Sequence, residues 1–205
     1  MQGREVVIVE AVRTPVGRGH PEKGAYRDVH PCALLGMVFT EVIARAGIEP
    51  RLVEDVLAGC VQQLGEQQVN IGRNAWLHAG LPVETPALTI DRQCGSAQQA
   101  VNLGATLIAA GVHDVGAGVE HMGHIPFAAG AAVMAQLGSP FTPELLAHHA
   151  LVPQGLSAEL IAEQWEISRE DMEELALESH TRASRAWEQG RFDREVVAYD
   201  GVSRD

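Results

Sequence analysis

Cys94 is the residue of this chain best placed to do covalent chemistry. It sits in the run Thr89-Ile90-Asp91-Arg92-Gln93-Cys94-Gly95-Ser96-Ala97-Gln98-Gln99-Ala100, which reads as a strand, a tight turn and the start of a helix. Ser96 and Gln99 carry the Ser-x-x-Gln spacing of a capping box, which places Cys94 just before the helix N-terminus. Unpaired backbone N–H groups and the positive end of the helix dipole favour a thiolate there, and a thiolate is the nucleophilic form of cysteine. If it attacked a thioester carbonyl, the developing oxyanion would find donors in nearby backbone N–H groups, and Gly95 would let a bulky substrate approach. On these grounds alone acyl transfer, a redox thiol and plain packing all stay open.

The other reactive side chains give weaker patterns. The chain has three cysteines, and the spacing of Cys32, Cys60 and Cys94 gives neither a CxxC pair nor a disulfide framework. An odd count of thiols fits a reducing compartment. Cys32 opens a helix and Cys60 ends a core strand, so both are read as packing residues. Glu120-His121-Met122-Gly123-His124 and His148-His149 concentrate histidines without matching a metal-ligand motif, and no metal is expected. The acidic run Glu170 to Glu174 reads as a solvated helix start favoured by the dipole. Trp165 and Trp187 read as packing anchors.

Elements that would hold Cys94 follow from the hydrophobic pattern. Val6-Val7-Ile8-Val9, within Arg4 to Val12, is short and β-branched and predicts a buried strand. Pro31 opens a helix with Leu34, Leu35, Val38, Val42 and Ile43 on one face, closed by Gly47. Strands are expected at 55–61, 87–90, 114–119 and 195–199, and helices at 70–79, 97–110, 157–165 and 168–189. Ser168 begins a second capping-box pattern. This alternation predicts an α/β fold, a mostly parallel sheet covered by helices, with residues 120–154 as an irregular inserted segment.

Bulk composition limits the function classes. A chain of 205 residues suffices for one domain or a domain with an inserted subdomain. Fifteen Lys and Arg against 27 Asp and Glu give a net charge of −12, which argues against nucleic acid or an anionic membrane as partner. No run approaches the length of a membrane span, and Gln2 to Glu5 are too polar for a signal core, so a cytoplasmic location is expected.

The segment Asp91 to Ala100 resembles the nucleophile segment of thiolases. Val7-Ile8-Val9 through Arg13-Thr14-Pro15-Val16-Gly17 is similar to that family's opening strand and turn. Further agreement, in order, comes from Gly59-Cys60-Val61-Gln62-Gln63 with Asn70-Ile71-Gly72-Arg73, from Gly118-Val119-Glu120-His121-Met122, and from Ser157-Ala158-Glu159 with Glu178-Ser179-His180 and Gly190-Arg191-Phe192. The Gly-Glu-Gln and Cys-Gly-Ser-x-Gln-Gln variants look most like a bacterial branch acting in sterol and lipid degradation. The resemblance implies the N-terminal half of a layered αβαβα fold: a core over 1–119, an inserted loop subdomain over 120–156, and a helical return with the last strand over 157–205.

It further implies that Cys94 takes up an acyl group, that its own backbone N–H helps hold one oxyanion, and that Met122 and Gln154 contribute to substrate binding. Acyl-CoA and coenzyme A would be substrates, with no separate cofactor, and the assembly would be a homodimer or homotetramer. A family member is about twice this length, and its second half supplies an activating His, a second Cys and a water-positioning Asn. Two expectations follow: a thiolase-type acyltransferase acting on a 3-ketoacyl-CoA, or a non-catalytic half that assembles with a separate C-terminal partner. The family's His-Met pair ahead of the 157–165 helix is replaced here by Pro153-Gln154.

Overall fold

A computed structural model describes residues 5–205, so the Arg4 end of the first expected strand and the polar start at Gln2 and Gly3 lie outside the described residues. Three strands, β1 (Asp55–Gly59), β2 (Ala87–Ile90) and β3 (Asp114–Gly118), form one parallel sheet in the order β2-β1-β3. Seven α-helices accompany them among the described residues: α1 (Pro31–Ala46), α2 (Ile71–His78), α3 (Ser96–Ala110), α4 (Ala129–Leu137), α5 (Pro143–His148), α6 (Gln154–Gln164) and α7 (Arg169–Glu188). The chain divides into two compact units, one running to Ala132 and taking in Glu195–Asp205, the other spanning Val133–Arg194.

In the first unit, β1 is central, and the two-residue period of a strand assigns its side chains to opposite faces. Val56, Ala58 and Cys60 pack with Leu35, Phe39 and Ile43 of α1 and with Ile71, Ala75 and Trp76 of α2. Phe39 and Trp76 meet edge-on with ring centroids 5.7 Å apart. Leu57 and Gly59 face the other way, toward α3. The register pairs Leu57 with Gly116 and Gly59 with Gly118, so the α3 side of the sheet carries small residues. The β1-to-β2 and β2-to-β3 crossovers run in opposite directions and lie on opposite faces, which gives both the same hand.

Local chemistry explains the helix ends. His30 caps α1, its Nδ1 accepting the Cys32 N–H at 3.1 Å, and Pro31 occupies the first turn, where a missing N–H costs nothing. Gly47 closes α1 in the left-handed conformation. Asn70 caps α2, and the expected capping box of α7 forms between Ser168 and Asp171.

Several expectations are corrected. Residues 5–12 form no strand: Val7, Ile8 and Val9 are 61%, 80% and 71% exposed. A buried strand needs a ladder partner and cover on both faces, and no described strand pairs with this run. Pairing begins only at Arg13, whose N–H donates to the Glu195 carbonyl at 2.8 Å and whose carbonyl accepts the Val197 N–H at 2.9 Å. Glu195–Tyr199 likewise makes only isolated bridges, at Val196 and Tyr199. The irregular stretch after Glu120 contains α4 and α5, and α6 starts at Gln154, three residues before its expected start. Trp165 is exposed rather than an anchor, whereas Trp187 packs on Phe192 at 5.1 Å between ring centroids.

Candidate active site

Cys94 stands in the turn between β2 and α3, two residues before the first residue of the helix, and it is exposed. Cys32 and Cys60 are buried in the core. Burial holds the Cys60 thiol protonated, its pKa pushed up to about 12, with the negative charges of Glu120 and Asp91 adding to the effect. Burial also raises Cys32, helped by Glu66. Of the three thiols, Cys94 is therefore the one that an incoming electrophile can reach.

The turn is built differently from the expected cap. Gly95 is the N-cap residue of α3 and makes no side-chain cap bond. The Ser96 hydroxyl instead faces backward: it donates to the Gln93 carbonyl at 2.6 Å and accepts the Arg92 N–H at 2.9 Å. Gln99 does not close a capping box, because its Oε1 accepts from the Arg92 guanidinium. Gly95 has φ −93°, and an added Cβ there would meet only the Arg92 carbonyl at ordinary contact distance. The left-handed residue of the turn is Gln93, with φ +48°. Asp91 supports it by accepting the Gln93 N–H at 2.8 Å.

Beneath the turn, two glycines let α3 settle onto the sheet. A Cβ at Gly59 would collide with the backbone of Ser96 and Ala97, and one at Gly118 would stand 2.7 Å from the Ala97 Cβ. The first turn of α3 thus rests on the C-terminal ends of β1 and β3, where loops of an open parallel sheet converge. Asn70 clamps the strand that leads into the turn: its Nδ2 donates to the Ala87 carbonyl at 2.8 Å, and its Oδ1 accepts the Thr89 hydroxyl at 2.7 Å.

Beyond β3, a polar network centred on the buried Gln67 and His121 ties the strand ends together. Glu120 accepts the Val61 N–H at 2.9 Å and the Gln67 amide at 2.7 Å. Gln67 is fully buried, and its Oε1 accepts the His121 N–H at 2.6 Å. His121 takes the His124 N–H on Nδ1, which leaves its Nε2 as the donor to the Tyr26 carbonyl at 2.9 Å. His124 stacks on it at 4.0 Å between ring centroids. Its Nδ1 faces Glu66 Oε2 at 2.7 Å and its Nε2 faces the Arg27 carbonyl at 2.6 Å. Two acceptors on one ring favour the imidazolium, and the His124 pKa is raised, chiefly by the bond to Arg27 and then by Glu66. Among the described residues no group of three His, Cys, Asp or Glu is arranged to hold a metal ion.

The other expected site residues are Met122 and Gln154. Met122 is 44% exposed and lines a cavity of about 230 Å³ with Val16 to Gly19, Tyr26 and Glu120; Cys94 is not among its lining residues. Gln154 is the first residue of α6, exposed, in the second unit. Sequence reasoning missed Ser96 as a clasp of the turn, Gly59 as its seat and Gln67 as a buried hub. Only the Gly-Glu-Gln run at 65–67 gave a sign of the last.

Residues 6–205 match the thiolase N-terminal domain family. A steroid 3-ketoacyl-CoA thiolase of Mycobacterium tuberculosis is 41% identical over 97% of this chain and 50% of its own length. A 3-ketoacyl-CoA thiolase of Saccharophagus degradans is also 41% identical, over 98% of this chain and 50% of its own length. The crystal structure of an acetyl-CoA acetyltransferase from Bacillus anthracis superposes with a TM-score of 0.74 at 34% identity, covering 93% of this chain and 50% of that one. The chain spans about half the length of the curated relatives it matches. The α/β arrangement, the ordered motifs and the extent of these matches make this chain a member of the thiolase family, over the family's N-terminal domain.

Proposed function

We propose that this chain provides the acyl-accepting cysteine of a thiolase-type acyltransferase, and that Cys94 is that residue. One observation carries the reading: Cys94 alone of the three cysteines is exposed, and it stands on the strand-to-helix turn of a thiolase N-terminal domain. The Cys94 thiolate would attack the carbonyl carbon of an acyl-CoA thioester. A carbon–sulfur bond to Cys94 forms, the bond to the coenzyme A sulfur breaks, and coenzyme A leaves as a thiolate that takes up a proton. With a 3-ketoacyl-CoA the attack falls on the keto carbon, the adjacent carbon–carbon bond breaks, and acetyl-CoA departs as a carbanion that must be protonated.

The Cys94 backbone N–H is proposed as one donor to the oxyanion of either addition. The resemblance assigns the proton transfers to residues of the family's second half, and burial removes Cys32 and Cys60 from that role. Met122 and Gln154 are proposed as acyl-pocket residues. The steroid 3-ketoacyl-CoA thiolase among the relatives supports a lipid or steroid acyl chain as substrate. A homodimer or homotetramer belongs to the same reading.

Incubation with acetyl-CoA, followed by peptide mass spectrometry, tests the assignment. One acetyl group is expected on the peptide containing Cys94, lost in Cys94→Ala. An unmodified Cys94 under conditions that acetylate an intact relative would overturn it. Light scattering tests the oligomeric state, and a monomer at all concentrations would count against that part.

A further inference from the structure

The turn that carries Cys94 is strained at one residue and clasped around it. Gln93, immediately before Cys94, holds φ +48°, a region that residues other than glycine seldom occupy. Such backbone persists only where surrounding contacts over-determine it, and it gathers at functional sites. The contacts here are specific. The Ser96 side chain, in a residue only 4% exposed, reaches back across the turn to Gln93 and Arg92, at 2.6 and 2.9 Å. The Ser96 N–H also donates to the Gln93 carbonyl, at 3.0 Å, so that carbonyl receives two bonds from one residue. The Gly95 N–H donates to the Arg92 carbonyl at 3.1 Å. Asp91 holds the Gln93 N–H from the strand side.

We propose that Ser96 is a positioning residue for Cys94: its hydroxyl holds Gln93 in the left-handed conformation and so fixes where the Cys94 sulfur and N–H stand over the first turn of α3. The inference rests on the reading of Cys94 as the acyl-accepting residue. Ser96 itself is buried beneath the turn and acts through the backbone. Without its hydroxyl, the Arg92 N–H and one lone pair of the Gln93 carbonyl lose their partner, and Gln93 can relax toward negative φ. That relaxation rotates the peptide between Gln93 and Cys94, which moves the Cys94 N–H and swings the thiol.

The test compares wild type with Ser96→Ala, Ser96→Thr and the double variant Gln93→Gly/Ser96→Ala. Two readouts are followed by peptide mass spectrometry: the pH profile of Cys94 alkylation by iodoacetamide, and the rate of acetylation by acetyl-CoA. Far-UV circular dichroism verifies folding. Ser96→Ala is expected to displace the alkylation profile by about half a pH unit or more and to slow acetylation roughly tenfold or more. Ser96→Thr, which keeps the hydroxyl, is expected to restore both toward wild type. The double variant is expected to recover part of the loss, because glycine adopts φ near +50° without being held there.

A folded Ser96→Ala whose alkylation profile superimposes on that of wild type would overturn the proposal. Failure of both Ser96→Thr and the folded double variant to recover would do the same. If Ser96→Ala alone does not fold, the double variant decides. Absence of acetylation in wild type would sink the functional reading, while the alkylation profiles would still decide the role of Ser96.

Discussion

At the residue scale, accessibility separates three chemically identical thiols. Cys60 lies among Val56, Ala58 and Ile71, and its high pKa is a direct consequence of withdrawing a thiolate from water. A thiol-titrating reagent is therefore expected to label Cys94 rapidly in the folded chain and Cys32 and Cys60 only after denaturation, with burst amplitudes of one and three thiols per chain as the readout. Fast labelling of a second thiol under native conditions would contradict the packing described here. Gly59 makes a sharper case, because a single methyl group there meets backbone rather than a movable side chain. Gly59→Ala should cost about 1–3 kcal/mol or more, by the usual magnitude of overpacking. Urea denaturation measures it, and it should also slow acetylation at Cys94, since α3 must lift from its seat.

At the element scale, the turn after β3 is held by protonation. His124 joins the 3-10 turn at Gly65–Gln67, through Glu66, to the segment before α1, through the Arg27 carbonyl. The charged and titratable groups around it are Glu66, Asp28, the stacked His121, and His30, whose Nε2 lies 4.0 Å from Glu66. A histidine whose folded pKa is raised contributes stability that is full below its unfolded value near 6.5. That contribution is lost as pH climbs through the higher folded value. Wild type should accordingly lose stability relative to His124→Gln as pH rises from about 6 to 8. Urea midpoints of both proteins across that range would show it, and parallel curves would refute it. In the second unit, the Ser168 cap of α7 should be worth about 1 kcal/mol, read as the destabilisation in Ser168→Ala.

At the scale of the whole molecule, the first unit is closed by residues far apart in sequence. Arg13 bonds Glu195 at 2.8 Å and both carboxylate oxygens of Asp205 at 2.8 and 3.0 Å, and Asp205 Oδ1 also accepts the Val16 N–H at 2.7 Å. These bonds return the segment after α7 to the turn after residue 12, so Glu195–Asp205 belongs to the first unit although 62 residues of another unit intervene. Asp205→Ala should destabilise by about 1 kcal/mol, with the loss shrinking in high salt, as expected of a partly exposed bidentate pair. The apolar run Val7 to Val9 and the α6 and α7 residues Leu156, Leu160, Leu175 and Leu177 remain exposed. The chain corresponds to about half the length of the curated relatives it matches.

The sequence by itself determined the periodic elements and the family. The positions of β1, β2, β3, α1, α2, α3 and α7 were legible within a few residues, because alternation, helical spacing and caps such as Pro31, Gly47 and Ser168 are local properties of the chain. The placement of Cys94 in a strand-to-helix turn was legible as well, from the residues around it. The tertiary structure alone decided what depends on contacts between distant residues. The Val6 to Val9 run has the composition of a buried strand, yet burial requires a partner strand that its own residues cannot encode. Ser96 carries the spacing of a cap, yet its hydroxyl bonds the preceding turn, because the glycines of β1 and β3 bring α3 close enough for that turn to fold back beneath Cys94. The place of Cys94 on its turn was thus written locally, and the geometry that holds the turn came from the packing of the sheet below.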